Sequence, residues 1–292
     1  MRVGVIGAGA MGRPIAVNCL TAGHSVVVYN RTRARADELR SYGAEVAESV
    51  CQACCCDVVI SLLADDAALE TVAFESQGFF SSFATNSVHV SASTISAGMS
   101  RRLAKAHADQ GGQFVAAPIM GRPEMAAARQ ISFLAAGDRS AYSRCLPVLE
   151  SISRDVRFVS EMPWHANLLK LCGNFLLLSA VETLAEIFAL LPAEGVAPSV
   201  FLDVMSKTLL SMPFYQSYGR RMISGEFLPP GFRLELACKD SSLLRETLTE
   251  RGIRLPMSEA LHTRLEAAVS LGYKDHDTAA LALAMQHECG AP

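Results

Sequence analysis

From its second residue the chain alternates short apolar runs with amphipathic stretches. "RVGVIG" is the uninterrupted apolar run of a strand covered on both faces, "MGRPIAVNCLTAG" spaces its apolar residues helically, and "HSVVVYN" returns to strand. "RARADELRSYG" predicts a helix, "DVVISLL" a buried strand, "SVHVSAS" another, "ISAGMSRRLAKAHADQ" a helix, and "QFVAAP" and "ISFLAAGD" two more strands. Strands that alternate with helices in this way predict βαβ units on a mainly parallel sheet. From Pro163 the pattern is helical only. It begins with an apolar segment reaching about Leu191, roughly 40 Å long at 1.5 Å per residue. "SVFLDVMSKTLL", "FRLELACKDSSLLRETLTERG", "MSEALHTRLEAAVSLG" and "DTAALALAMQHE" follow as helices. Residues 1–162 are therefore expected as one domain and 163–292 as an all-helical second, with the "SEMPWH" turn as the hinge.

A length of 292 residues suits two cores, and 50% hydrophobic against 19% charged residues leaves ample material to bury. The formal charge of −3 argues against a nucleic-acid partner, which would call for a basic excess. Glu182 and Glu186 interrupt the most apolar stretch, Phe175 to Leu191, so no membrane partner is expected. The chain enters its first strand at once, without a hydrophobic leader, and a soluble cytoplasmic protein is expected. Of the nine cysteines, "CQACCC" at Cys51 to Cys56 contains one C-x-x-C. With no second pair and no nearby histidine to complete a ligand set, it reads as small hydrophobes at a helix end, and no metal is expected.

"GAGAMG", Gly7 to Gly12, follows the first strand and opens the first helix, as a G-x-G-x-x-G dinucleotide fingerprint must. Gly7 permits the tight turn, Gly9 lets the backbone approach a pyrophosphate, Gly12 allows close helix–strand packing, and Ala10 and Met11 lie between them. The helix N-terminus then offers free N–H groups to phosphates. The fold class expected is α/β: an N-terminal Rossmann-type doubly wound sheet joined by a long interdomain helix to an all-α C-terminal domain. The second strand ends in Asn30, Arg31 and Thr32, where an NAD site usually carries a carboxylate for the ribose 2′-OH. Asparagine does not repel a 2′-phosphate and Arg31 can bond one, so NADP is the expected cofactor, with NAD as the alternative.

The long helix embeds Asn167, Lys170 and Asn174 among leucines at i, i+3 and i+7, which places them on one stripe. With "GAGAMGRPIA", "SLLADDAALETV", "SASTIS", "APIMGRP", "NLLKLCGN" and "FRLELACKD" in order, the chain resembles the β-hydroxyacid dehydrogenase family over nearly its full length. That family includes 3-hydroxyisobutyrate dehydrogenases and glyoxylate or succinic-semialdehyde reductases. The resemblance implies that the stripe faces an interdomain cleft beside the nicotinamide, with Lys170 as catalytic lysine and Asn174 as its partner amide. It further implies cofactor contacts from Leu63, Ala64, Thr94 and Lys239, substrate contacts from Phe232 and Asp240, and a homodimer.

One loop departs from the family. Its usual D-A-P-V-S-G-G appears here as "AAPIMGR", so Ala116 replaces the acid, Met120 the serine and Arg122 a glycine, while Gly121 is kept. Met120 supplies an adaptable apolar wall. Arg122 either restores carboxylate binding through a bidentate pair or points to solvent or another subunit. The expected function is hydride transfer between NADP(H) and a β-hydroxyacid, semialdehyde or related carbonyl, with Lys170 as general acid/base. "IMG-P" in this loop also resembles the imine reductases, which generally lack a lysine at this point of the helix. Imine reduction is therefore the alternative, and a noncatalytic dinucleotide-binding protein the third reading.

Overall fold

A computed structural model of the chain describes residues 1–75, 78–81 and 87–289, with the backbone alone at Ser81. It divides into two compact units, Met1–Lys170 and Leu171–Pro292. In the first, β1 (Arg2–Ile6), α1 (Gly12–Thr21), β2 (Ser25–Tyr29), α2 (Arg33–Asp37), β3 (Glu45–Val46), α3 (Val50–Cys54), β4 (Val58–Ser61), α4 (Asp66–Phe74) and β5 (Val88–Ser91) are followed by α5 (Ala97–Asp109) and β6 (Gln113–Ala116). Then come β7 (Ile119–Met120), α6 (Pro123–Ala127), β8 (Ser132–Gly137), α7 (Arg139–Ser151) and β9 (Asp155–Ser160).

The strand order β3-β2-β1-β4-β5-β6 is parallel throughout, the doubly wound arrangement expected of a Rossmann-type sheet. Val3, Val5, Val28, Val58, Ile60 and Val90 are fully buried, because helices cover both faces. Beyond β6 the sheet departs from the parallel expectation. Pro118, which has no N–H to give a ladder, separates β6 from β7, and both pair antiparallel with β8. β9 then lies parallel to β8.

The cysteine-rich segment forms α3 and the turn into β4. Cys54 and Cys56 are buried, and burial pushes both thiols above their ordinary range, as suits packing residues rather than nucleophiles. Among the described residues no group of three or more histidines, cysteines or acids is placed to hold a metal ion.

The long helix α8 (Pro163–Ala193) links the two units and is 31 residues long, about 46 Å. It is followed by α9 (Pro198–Ser206), α10 (Pro213–Ser224), α11 (Leu234–Glu250), α12 (Pro256–Ala268) and α13 (Leu281–Cys289). The chain thus becomes helical where the periodicity changes. Helix α10 carries Tyr, Gln, Ser and Arg within its apolar positions, which masks its period in the sequence. Leu178, Val181, Leu184 and Ala185 of α8 pack with Tyr218, Leu234, Leu261, Leu265 and Leu281 into the core of the second unit. By length and composition α8 could cross a membrane, its most apolar 18-residue window having a mean hydropathy of 1.8. However, Glu182 is buried within it and accepts a bond from Arg264 Nε at 2.6 Å, a charged crosslink to α12.

Candidate active site

The parallel register sets Tyr29, Ile6, Ser61, Ser91 and Ala116 side by side across five strands. Each cofactor loop leaves the sheet just beyond that row: Asn30–Thr32 after β2, Gly7–Gly12 after β1, Leu63–Ala64 after β4, Thr94 after β5. The substrate loop leaves after β6. The expected first-unit residues thus share the carboxyl edge of the sheet, the edge where ligands of open α/β folds bind.

The glycine-rich turn has the sterics its residues require. Gly7 has φ +104°, and a Cβ there would stand 2.2 Å from the Leu62 carbonyl oxygen. A Cβ on Gly12 would stand 1.7 Å from the Gly7 oxygen, so helix and turn touch at that point. Gly9 meets nothing within 4 Å. Among the described residues no contact requires glycine there, whereas a pyrophosphate laid against the backbone would. Ala10 is exposed, Met11 caps α1 without a side-chain bond, and the first turn of the helix carries no acid. An incoming anion therefore meets N–H groups without competition from a carboxylate. These residues fit a dinucleotide.

Asn30 has a role the sequence does not disclose. Its Oδ1 accepts from Ala8 N at 2.9 Å and its Nδ2 donates to the Thr32 carbonyl at 2.8 Å, so it ties the glycine turn to the β2 loop. Arg31, Thr32 and Arg35 are exposed, while Arg33 is paired with Glu48 and Asp37. Two further loops are joined by residues that sequence reasoning passed over. Ser93 Oγ accepts from Leu63 N at 2.8 Å, and Asp66 accepts from Ser96 N at 3.0 Å and from Ser96 Oγ at 2.5 Å. Asp65 caps α4 through Ala68 N at 2.7 Å. An acid pair ahead of an apolar helix is an N-terminal signal, so only Asp65's role was readable in advance.

In the substrate loop Gly121 has φ +153°, and a Cβ would stand 2.6 Å from Ile131 Cγ2, which accounts for the glycine retained there. Met120 and Arg122 are half-buried on either side of it, Arg122 heading α6 in front of Pro123. Ala116, in the place of the family's acid, is fully buried in β6.

On α8 the stripe consists of buried side chains. Asn167 is 1% exposed, Lys170 8% and Asn174 5%. Both polar atoms of the Asn167 side chain are buried without a hydrogen-bond partner among the described residues, unusual for a carboxamide and consistent with its lining a polar site. In the second unit Asn174 Nδ2 donates to Asp240 Oδ2 at 2.6 Å, and Lys239 Nζ lies 3.0 Å from Asp240 Oδ1. The structure thus brings together three of the residues expected there. Phe232 is held through its backbone, since Asp277, itself fully buried, accepts from Gly231 N at 2.8 Å and Phe232 N at 3.1 Å.

Comparison with known proteins agrees with this geometry. Residues 2–160 match the model of the NAD-binding domain of 6-phosphogluconate dehydrogenase, and residues 165–285 match that of the NAD-binding region of NADP-dependent 3-hydroxyisobutyrate dehydrogenase. The chain belongs to the β-hydroxyacid dehydrogenase family, the group that includes the 3-hydroxyisobutyrate dehydrogenases, and is an NAD(P)-dependent oxidoreductase of that family. It is 39% identical to the uncharacterized oxidoreductase YfjR of Bacillus subtilis over 96% of this chain and 98% of that protein. It is 28% identical to glyoxylate/succinic semialdehyde reductase 1 of Arabidopsis thaliana over 96% and 97%. The structure of a 3-hydroxyisobutyrate dehydrogenase from Salmonella typhimurium superposes with a TM-score of 0.86 at 24% identity, covering 97% of this chain and 99% of that one. An imine reductase from a Pseudomonas species superposes with a TM-score of 0.63 at 22% identity, with coverage of 97% and 99%.

Proposed function

We propose that the protein is an NADP(H)-dependent reductase or dehydrogenase acting between a β-hydroxyacid and the corresponding semialdehyde or related carbonyl compound. The observation that carries this reading is the buried side chain of Lys170, one helical turn ahead of an asparagine whose amide is fixed by Asp240. The nicotinamide, when bound, supplies or accepts the hydride. Lys170 gives a proton to the substrate oxygen in reduction and takes it back in oxidation. Asn174 bonds the same substrate; Met120, Gly121 and Arg122 are the substrate contacts expected from the first unit and Phe232 the one expected from the second. Gly7, Gly9, Ala10, Met11 and Gly12 hold the pyrophosphate, Leu63, Ala64 and Thr94 follow the ribose and nicotinamide, and Lys239 reaches the cofactor. The test is loss of NADPH absorbance with a panel of semialdehydes, keto acids and cyclic imines. Turnover confined to carbonyl compounds is expected. Turnover confined to the imines would favour the second reading, which rests on Met120 standing where the family has serine. Tight NADPH binding with no turnover across the panel would favour a binding protein.

NADP is preferred over NAD because the β2 loop carries no carboxylate and exposes Arg31. Arg31→Ala is expected to weaken NADPH by roughly tenfold or more while leaving NADH almost unchanged. Equal losses in a fluorescence titration with the two cofactors would remove the phosphate assignment.

The assembly proposed is a homodimer. Leu176 and Leu190 on α8, Val200 and Val204 on α9, and Leu209 beyond it are exposed. A groove of about 230 Å³ lined by Leu184, Ile187, Phe201 and Met205 opens among them. A second copy of this chain fits such a surface better than lipid does, because the buried Glu182–Arg264 pair sits midway along the same helix. Light scattering is expected to give twice the chain mass, and the double variant Val204→Asp/Leu209→Asp is expected to give the single mass. A monomeric wild type would reject the interface.

A further inference from the structure

We infer that Asp240 is a positioning residue that fixes which end of the Asn174 carboxamide meets the substrate, making Asn174 a hydrogen-bond acceptor. This rests on the proposed placement of Asn174 at the reacting group. The argument begins with donor and acceptor chemistry. A carboxamide carries a donor end and an acceptor end of nearly the same shape, so its orientation is decided by its neighbours. An ionised carboxylate only accepts. At 2.6 Å from Asp240 Oδ2, the near end of Asn174 must be its NH2, and Oδ1 is turned away.

Three further features hold that orientation. Asp240 is 5% exposed and Lys239 Nζ lies 3.0 Å from its other oxygen, a contact that holds the carboxylate in place. Leu171, Phe175, Leu178 and Leu244 line the small space around the pair, and such apolar walls strengthen a charge-assisted bond. Finally, among the described residues the Asn174 side chain makes no other hydrogen bond, so its Oδ1 has no partner among them.

An acceptor in that position selects by protonation. The hydroxyl of a hydroxyacid can donate to Asn174 Oδ1, but the oxygen of an aldehyde or ketone cannot. Asn174 therefore binds the alcohol side of the reaction more strongly than the carbonyl side, through a bond that forms once Lys170 has given its proton to the substrate oxygen and that is broken when the hydroxyl turns to hand the proton back to the neutral lysine. With Asp240→Asn the partner can donate as well as accept, and Asn174 is free to turn over.

The test uses the full-length enzyme, with 3-hydroxyisobutyrate and NADP+ as the first probe in the oxidative direction and whichever carbonyl compound turns over in the reductive one. Asp240→Asn is expected to raise KM for the hydroxyacid at least tenfold and KM for the carbonyl compound much less, with NADPH affinity and Tm close to wild type. Asn174→Leu is expected to raise the hydroxyacid KM similarly, and the double variant to add nothing to either single one. Lys239→Met separates the two partners of Asp240, since it removes the ion pair and leaves the Asn174 bond.

Selective 15N labelling of asparagine reads the same geometry without a substrate. The Asn174 NH2 signal is expected downfield and protected from exchange in the wild type and in Lys239→Met, but not in Asp240→Asn. An unchanged NH2 signal in Asp240→Asn, or additive KM effects, overturns the inference. If Asn174→Leu itself leaves the kinetics intact, it is the placement of Asn174 at the substrate that fails.

Discussion

Lys170→Ala is expected to lower turnover about a hundredfold or more, with NADPH affinity little changed. Hydride addition to a carbonyl carbon leaves its electron pair on oxygen, and a buried ammonium both offsets that charge and delivers the proton. In the role proposed for Lys170, removing it takes away a bond made fully only at the transition state, so the loss is expected on kcat and kcat/KM together. The dinucleotide keeps its cradle, because the glycine turn, the Asn30 crosslink and the Ser93–Leu63 bond are all made without Lys170. Folding should tolerate the change, since alanine favours helix and the substitution removes a buried charge. Lys170→Arg makes the argument sharper. The guanidinium keeps the charge but does not release its proton near neutral pH, so low residual turnover is expected in both directions, with the proton supplied by solvent. A Lys170→Ala enzyme with near-normal turnover and an intact melting transition would remove the acid role.

The parts of this molecule that could be read from the sequence are those set by local period. Strands β1, β2 and β4 are mostly apolar runs because both faces are covered, and the chain turns from strand-and-helix to helix only where the period changes at Pro163. The glycine turn was readable because each glycine answers a separate steric demand. What escaped was short or long-range. Strands β3 and β7 have two residues each, too few to show alternation, and β9 is half-exposed along most of its length, so neither face is marked as apolar. Asn30 reads from the sequence as a ribose contact, yet its carboxamide is bonded to Ala8 across 22 positions. The Asn174–Asp240 bond spans 66 positions. A motif match can nominate both residues, but it cannot say that one carboxylate sets the other's orientation. That link is tertiary, and it depends on α8 and α11 packing side by side.

A second large effect is expected from acid, and it originates away from the candidate site. Within the Rossmann unit Ser61 Oγ lies 2.9 Å from His89 Nε2, and His89 Nδ1 lies 2.8 Å from His107 Nε2. Phe79 and Phe114 pack against both imidazoles. Both histidines are buried, 0% and 1% exposed. Burial pushes His107 down to about 3, and burial together with its neighbour holds His89 well below its ordinary value. A protonated pair would also lose the mutual bond, because one of the two facing nitrogens has to accept. Since the folded values lie below the unfolded one, the unfolded chain takes up protons first. The stability due to this pair is therefore complete above about pH 6.5 and is lost as pH falls through 6 and 5 towards 3. At pH 5 the unfolded chain already holds most of the protons that the folded pair excludes, so the loss is a large fraction of the stability of an ordinary domain. Urea melts from pH 7.5 to 5 should show that loss in the wild type. In the double variant His89→Gln/His107→Gln, starting from a lower stability, most of the pH slope should disappear, because glutamine can keep a donor and an acceptor in the core but does not titrate. A wild-type stability flat over that range, or a slope as steep in the double variant, would show that the pair is not the group that acid attacks.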